Sequence, residues 1–163
     1  MKSYQREHEV FLPVMREAGA AVMKFFKSQK YEIQHKDADN PVTEADFAAN
    51  RIITVALREM FPDDAILSEE SEGEAEKELM ARERFEKKRV WVIDPIDGTR
   101  EFIKGREQFA VSVGLVENGK PVLGFIFNPA RGYLMSGGES LGLFADGQRF
   151  TPAIRPVFNP PGS

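Results

Sequence analysis

Two carboxylates lie three residues apart in the stretch "WVIDPIDGTREF", which covers residues 91–102. The apolar run before Asp94 predicts a buried strand that ends at this residue. Asp97 follows across a turn at Pro95-Ile96. Two neighbouring carboxylates repel each other unless something cationic lies between them. The stretch therefore indicates a cation site at the end of a strand.

Two further acids stand in comparable places. Glu69 lies at the end of a second predicted strand, "AILSEE", and Asp46 lies in the first turn of a predicted helix. If the two strands are neighbours, Glu69 and Asp94 emerge at the same end of the sheet. Oxygen ligands suit a hard divalent cation, most plausibly Mg²⁺, and the exposed carbonyl of Ile96 would add another. Zinc is disfavoured, because the chain has two histidines and no cysteine.

Gly98 and Thr99 directly follow the second aspartate. If a helix begins there, its first backbone N–H groups point outward and bind phosphate. A metal ion beside a phosphate-binding helix start indicates phosphoryl chemistry, in which the ion polarises the phosphate and makes hydroxide available.

Simpler explanations exist for each of these residues. "DPIDGT" also suits an ordinary turn, Asp46 suits a helix cap, and Lys36 lies in a polar loop where solvation is the default. His8 and His35 are expected at the surface. A phospho-aspartate nucleophile of the haloacid-dehalogenase type is disfavoured, because that motif spaces its acids two apart and has no proline between them.

The composition limits the classes of protein. The chain has 163 residues, no cysteine and a net charge of −4, which indicates one globular domain and disfavours general nucleic-acid binding. No apolar run approaches the length of a membrane span, and the first residues show no apolar signal region. We expect a cytoplasmic protein.

The elements that must position the acids follow from periodicity. Apolar residues at three- and four-residue steps predict two leading helices, the first with Pro13 in its first turn. A polar loop over 31–41 separates them, and Thr43 with Asp46 predicts a capping box. A charged segment over 72–89 reads as a solvated helix or an exposed excursion.

Several later segments with strand patterns are joined by short turns. This pattern predicts an α/β (α+β) fold with two helices on a mainly antiparallel sheet. We expect a domain over 1–150 and a proline-rich tail over 151–163.

The motifs "DNPVTEAD", "LSEES" and "WVIDPIDGTREFIKG" occur in the order and spacing of the inositol monophosphatase superfamily, and the chain resembles that superfamily over residues 5–150. These are lithium-sensitive, magnesium-dependent phosphatases. The region around "GTREFIKG" and "FAVSVGLVENGKPVLGFIFNPARG" looks most like the bacterial 3'(2'),5'-bisphosphate nucleotidases. Glu101 supports this, since inositol monophosphatases more often have Asn there.

The resemblance implies a role for each motif residue. Glu69, Asp94, Asp97 and the carbonyl of Ile96 would bind two Mg²⁺ ions, with Asp94 bridging them. Thr99 and Asp46 would orient and deprotonate the attacking water, while the Gly98 and Thr99 amides hold the phosphate. Glu70 would assist from behind, and Lys36 lies in the loop that closes over the site in relatives.

The resemblance covers roughly the first half of a family member. Relatives continue with a second half that adds one more aspartate and most of the substrate pocket. The motifs imply that the substrate is a small phosphate ester. Adenosine 3',5'-bisphosphate is expected before inositol or sugar monophosphates. The alternative of another class is a metal- or phosphate-binding module, or an assembly partner, without turnover. The sheet that the second half covers in relatives is uncovered here, and a homodimer is an expected partner state.

Overall fold

The computed structural model describes residues 3–36 and 41–153. Within this part of the chain, the elements run in the order α1 (Gln5–Ser28), β1 (Ile33–His35), β2 (Pro41–Thr43), α2 (Glu44–Met60), β3 (Ala65–Ser68), α3 (Glu74–Glu86), β4 (Arg89–Asp97), α4 (Thr99–Ile103), β5 (Ala110–Glu117), β6 (Lys120–Asn128), β7 (Tyr133–Gly138), β8 (Gly142–Ala145) and β9 (Gln148–Phe150).

The main sheet has seven strands in the order β3-β4-β5-β6-β7-β8-β9. Only β3 and β4 pair in parallel, and every other neighbouring pair is antiparallel. The helices α1 and α2 pack against each other and cover one face of this sheet. The predicted fold class, with two leading helices on a mainly antiparallel sheet, is confirmed.

The core lies between these two helices and the sheet. Phe11 of α1 contacts Trp91 of β4 and Phe125 of β6, each with ring centroids 5.1 Å apart. All three side chains are fully buried. On the opposite face, Val92 and Ile126 are 40% and 51% exposed, and they border an open groove of about 740 Å³.

The first helix differs from the prediction in two respects. It begins at Gln5, so Pro13 lies inside it and not in its first turn. Pro13 is exposed, and water can satisfy the carbonyl that loses its hydrogen bond there. His8 is buried, not at the surface, because it packs on Phe144 at 4.3 Å and lies 2.8 Å from Ser136 Oγ. His35 is exposed, as expected.

In the described residues, one short strand lies inside the segment predicted as a polar loop and a second begins at its last residue. Ile33–His35 and Pro41–Thr43 pair antiparallel as a separate two-stranded sheet. The charged segment forms the helix α3, whose single buried residue is Met80. Most of the proline-rich tail, residues 154–163, lies outside the described residues. No helix in the part of the chain that the structure describes has the length and apolar character needed to cross a bilayer.

Candidate active site

One cavity of about 410 Å³ brings most of the predicted site residues together at the end of β4. Seven residues that the sequence singled out line its wall: Glu69, Glu70, Asp94, Ile96, Asp97, Gly98 and Thr99. Asp46 joins them through a hydrogen bond to Thr99, and Lys36 through contacts with Glu69 and Glu70. The motifs thus meet in one place, although they are separated in sequence.

The pairing of β3 with β4 explains why Glu69 and Asp94 lie together. The two strands run in parallel, with Ser68 opposite Ile93. The next residues of each strand, Glu69 and Asp94, therefore emerge side by side, and the Glu69 N–H faces the Ile93 carbonyl at 3.4 Å. The expectation that these strands are neighbours is correct.

Asp94 does not end its strand, contrary to the sequence prediction. β4 continues to Asp97, and the register shifts between the two acids. Asp94 pairs with Ser112 and Asp97 with Ala110, so β4 has one residue more than β5 over this interval. Such a bulge re-aims side chains and tolerates Pro95, which has no N–H to donate. The two carboxylates consequently border the same cavity.

The acids at this edge influence one another electrostatically. Burial, together with the negative charges of Glu69, Asp97, Asp46 and Glu70, raises the pKa of Asp94 to about 7. The pKa of Glu70 is also raised, mainly by burial, although Lys36 opposes the shift. A cation placed among these groups would stabilise the ionised form of Asp94 and offset the repulsion from its neighbours.

Asp46 combines a structural and a chemical contact. Its Oδ2 accepts hydrogen bonds from the backbone N–H of Thr43 at 2.8 Å and from the Thr43 hydroxyl at 2.7 Å. The first of these bonds belongs to the capping box that begins α2, as predicted, in which the Thr43 side chain also accepts the backbone N–H of Asp46. The other oxygen, Oδ1, lies 3.1 Å from the Thr99 hydroxyl. Burial raises the pKa of Asp46 against the opposing effect of its hydrogen bonds.

Thr99 connects this buried carboxylate to the cavity. Its hydroxyl has two acceptors within reach, Asp46 Oδ1 at 3.1 Å and the Ile96 carbonyl at 3.0 Å. Because a hydroxyl has one proton, it donates fully to only one of them at a time. The same oxygen retains lone pairs to accept a proton from a molecule in the cavity.

Gly98 precedes the short helix α4 in a conformation that excludes other residues. Its φ is +92°, and an added Cβ would lie 2.6 Å from the Gln108 carbonyl oxygen. The carbonyl of Gly98 accepts the N–H groups of Glu101 and Phe102, each at 3.0 Å. The helix α4 thus starts directly after the second acid, as predicted. The first N–H groups of a helix have no intrahelical partner and are free to bind a ligand.

The sequence suggested that Lys36 is solvated, but the structure gives its side chain two contacts. Its Nζ donates to the Glu69 carbonyl at 2.6 Å and lies 2.8 Å from Glu70 Oε2. The second contact is an ion pair. Lys36 thereby ties the end of β1 to the acidic edge of the main sheet.

The donor chemistry fits a hard cation, although the side chains do not yet converge. No three His, Cys, Asp or Glu side chains in the described ranges already form a group that could hold a metal ion. Glu69 and Asp97 are exposed, so their carboxylates can rotate towards Asp94 at small cost. Carboxylate oxygens with the carbonyl of Ile96 are the ligands that Mg²⁺ prefers.

Sequence reasoning missed a buried contact behind the site. The Ser68 hydroxyl donates to Asn50 Oδ1 at 2.5 Å and accepts from the Glu70 N–H at 3.2 Å. Asn50 and Ser68 are both buried, and this chain fixes α2 against the turn that contains Glu69. The spacing of Asn50 four residues after Asp46 was a signal, since it places both on one helix face.

The chain matches the model of the "Inositol monophosphatase family" over residues 4–157. It is 43% identical over 115 residues to the 3'(2'),5'-bisphosphate nucleotidase CysQ of Salmonella typhimurium, and 38% identical over 125 residues to CysQ of Escherichia coli. In structure it resembles the extragenic suppressor protein suhB of Bartonella henselae, with a TM-score of 0.77 and 28% identity.

The matches cover a larger share of this chain than of the proteins it resembles. They cover 70% and 76% of this chain but 44% and 48% of the two nucleotidases, and 92% of this chain but 55% of suhB. The chain thus spans about half the length of the curated relatives it matches. Because the family model covers nearly all of it, the chain belongs to the inositol monophosphatase family.

Proposed function

We propose that this protein is a Mg²⁺-dependent phosphomonoesterase. One observation carries the proposal: Glu69, Asp94, Asp97 and Thr99 border a single cavity at the start of α4, and the Thr99 hydroxyl lies within hydrogen-bond distance of Asp46 behind the cavity wall. The cavity supplies oxygen ligands for a cation, a hydroxyl–carboxylate pair for proton transfer and a helix start for phosphate. Membership of the family supports the same reaction class.

Four groups would hold the cation. These are the carboxylates of Glu69, Asp94 and Asp97 and the carbonyl of Ile96, all of which line the cavity. When bound there, Mg²⁺ would neutralise charge on the phosphate and lower the pKa of a bound water. Glu70, paired with Lys36, would keep Glu69 in place from behind.

Thr99 and Asp46 would move the proton of the attacking water. The Thr99 oxygen accepts a proton from water while its own proton passes to Asp46 Oδ1, 3.1 Å away. The raised pKa of Asp46 makes it a better acceptor than an ordinary aspartate. The water oxygen then forms a bond to phosphorus as the bond from phosphorus to the ester oxygen breaks, without a covalent enzyme intermediate. The leaving alkoxide, stabilised by a second Mg²⁺ held by the same acids, would take its proton from solvent water.

The favoured substrate is a nucleotide of the adenosine 3',5'-bisphosphate type, which would lose its 3'(2')-phosphate. Support comes from the two CysQ relatives, whose names state 3'(2'),5'-bisphosphate nucleotidase. Glu101, at the cavity wall, is the residue that distinguished this subgroup in the sequence. Inositol or sugar monophosphates are the second candidate, supported by the family match.

A panel of phosphate esters tests the proposal. Phosphate release is measured with Mg²⁺ and with EDTA, using adenosine 3',5'-bisphosphate, inositol 1-phosphate and a sugar phosphate. We expect Mg²⁺-stimulated release with the highest kcat/KM for the bisphosphate. Mg²⁺ binding without any turnover would instead support a binding module, and a higher kcat/KM for inositol 1-phosphate would move the substrate to the second candidate.

Other expectations stay predictions of the same proposal. A small phosphate ester is the expected partner, and binding to DNA or RNA is not expected. Cell fractionation tests the cytoplasmic location, and light scattering tests the homodimer.

A further inference from the structure

A second cavity adjoins the candidate active site on its other side. It has a volume of about 260 Å³ and shares Asp97 and Gly98 with the acidic cavity. Its remaining wall includes Gln108, Asn128, Arg131 and Tyr133. A substrate held at Gly98 therefore has a neighbouring space into which its other half can extend.

The sheet register places this cavity beside the site. Asp97 of β4 pairs with Ala110 of β5, and Asn128 of β6 pairs with Tyr133 of β7. Val111 pairs with Phe127 one step further in, so these residues form a row across four strands. The turn between β6 and β7, which includes Arg131, consequently lies at the same edge of the sheet as the acids.

Asn128 fixes the two walls of the cavity relative to each other. This side chain is buried, with 5% exposure. Its Nδ2 donates to the Glu107 carbonyl at 2.9 Å, and its Oδ1 accepts from the Arg131 N–H at 3.0 Å. A buried amide that uses both ends in this way holds the turn that contains Arg131 against the loop that contains Glu107.

Arg131 supplies a positive charge at this position. Its Nε lies 3.4 Å from Glu107 Oε2, and both side chains are about half exposed. An ion pair with this exposure contributes little to stability. Arg131 can therefore exchange Glu107 for a phosphate group, which a guanidinium binds through two parallel N–H groups.

We propose that the cavity beside Asp97 is the site for the second phosphate of a bisphosphate substrate, and that Arg131 binds that phosphate. The proposal rests on the proposed function and deepens it, because it explains how a bisphosphate is preferred over a monophosphate. The scissile phosphate lies at Gly98 and Thr99, and Tyr133 is part of the cavity wall. Arg131 is a specificity residue and takes no part in proton transfer.

Binding of two ligands to the full 163-residue chain tests the proposal by calorimetry with Mg²⁺ present. All variants carry Thr99→Ala, which slows hydrolysis of the ligands during the titration. The ligands are adenosine 3',5'-bisphosphate and adenosine 3'-monophosphate, which differ only in the second phosphate. We expect Arg131→Gln to weaken bisphosphate binding roughly tenfold to a hundredfold, as for a lost charged hydrogen bond. Binding of the monophosphate should stay unchanged.

Three further variants sharpen the comparison. Arg131→Lys should recover part of the affinity, because it keeps the charge but not the paired N–H groups. Glu107→Gln should tighten bisphosphate binding, because it removes the competing carboxylate. Arg82→Gln, which changes an exposed ion pair on α3, is the matched control and should change neither affinity.

The outcomes separate this inference from the proposed function. If both ligands bind and Arg131→Gln leaves their affinity ratio unchanged, the assignment of Arg131 is overturned while the phosphatase proposal stands. If neither ligand binds the Thr99→Ala chain with Mg²⁺ present and wild type releases no phosphate, both fail.

Discussion

The Thr99 hydroxyl lies 3.1 Å from Asp46 Oδ1, although the two residues are 53 positions apart in the sequence. One contact joins the first turn of α2 to the first turn of α4. Because Thr43 holds the other oxygen of Asp46, the carboxylate is fixed before any ligand binds. This pair is the proposed route for the proton.

Replacing Thr99 tests that route. Thr99→Ala removes the hydroxyl, and we expect phosphate release to fall roughly 10²–10⁴-fold, the usual contribution of a positioned acid or base. Thr99→Ser keeps the hydroxyl and should retain most of the activity. Steady-state kinetics and a Mg²⁺ titration are measured together. Equal activity of Thr99→Ala and wild type would remove Thr99 from the mechanism.

Gly98→Ala tests the approach of the backbone beneath the phosphate site. The new Cβ would lie 2.6 Å from the Gln108 carbonyl oxygen at a φ of +92°. Gly105→Ala is the matched control, because its φ is +70° and nothing lies within 4 Å of its Cβ. We expect about 1–2 kcal/mol of lost stability for Gly105→Ala from backbone conformation alone.

Gly98→Ala should lose more than that, because the clash adds to the strain. Urea denaturation of both variants provides the measurement. Equal loss of stability in the two would show that the loop at Gln108 moves away without cost.

Lys36→Met tests whether the ammonium holds the strands β1 and β2 on the site. The variant loses the bond to the Glu69 carbonyl and the ion pair with Glu70. We expect faster hydrogen exchange at Ile33–His35 and at Val42 and Thr43, because the pairing of these two strands is separate from the main sheet. Lys77→Met, on an exposed ion pair of α3, is the control. Unchanged exchange in Lys36→Met would argue against the clamp.

His8 predicts a dependence of stability on pH. Burial lowers the pKa of His8 in the folded chain. The unfolded chain therefore takes up a proton first as the pH falls through about 6.5, so this residue's contribution to stability declines below that pH. His8→Gln should be less stable overall but should show a flatter decline between pH 7 and pH 5.

Urea denaturation at several pH values measures this slope. His35→Gln is the matched control, because His35 is exposed and its replacement should leave the wild-type slope in place. If His8→Gln keeps that slope as well, the decline comes from other groups.

Local sequence patterns were sufficient for several features. Strand patterns joined by short turns predicted β5, β6 and β7, and the threonine–aspartate spacing predicted the capping box of α2. The acidic edge was also predictable, because Glu69 and Asp94 follow apolar runs that pair in parallel. Each of these features depends on residues close in sequence or on one strand pairing.

The errors have a common physical origin in contacts between distant residues. His8 was expected at the surface, but its burial depends on Phe144 and Ser136, far along the chain. The strands β1 and β2 contain polar residues with no alternation, so only their pairing defines them. The sequence predicted a turn between Asp94 and Asp97 where the structure has a bulge, because Pro95 is compatible with either.

The acidic edge gives the central claim its test. Burial, together with the negative charges of Glu69, Asp97, Asp46 and Glu70, raises the pKa of Asp94 to about 7. Asp94→Asn removes one ligand and one charge from this group. We expect the variant to lose Mg²⁺ affinity and to be more stable than wild type in EDTA at pH 8, because repulsion is relieved.

Calorimetric titration of Mg²⁺ into wild-type protein and Asp94→Asn is the most direct measurement. Asp63→Asn, which alters an exposed acid at the end of α2, controls for general loss of negative charge. The account predicts saturable binding to wild type and to Asp63→Asn, and at least a tenfold weaker affinity for Asp94→Asn, about 1.4 kcal/mol. Equal Mg²⁺ affinity in wild type and Asp94→Asn would contradict the assignment of the metal site.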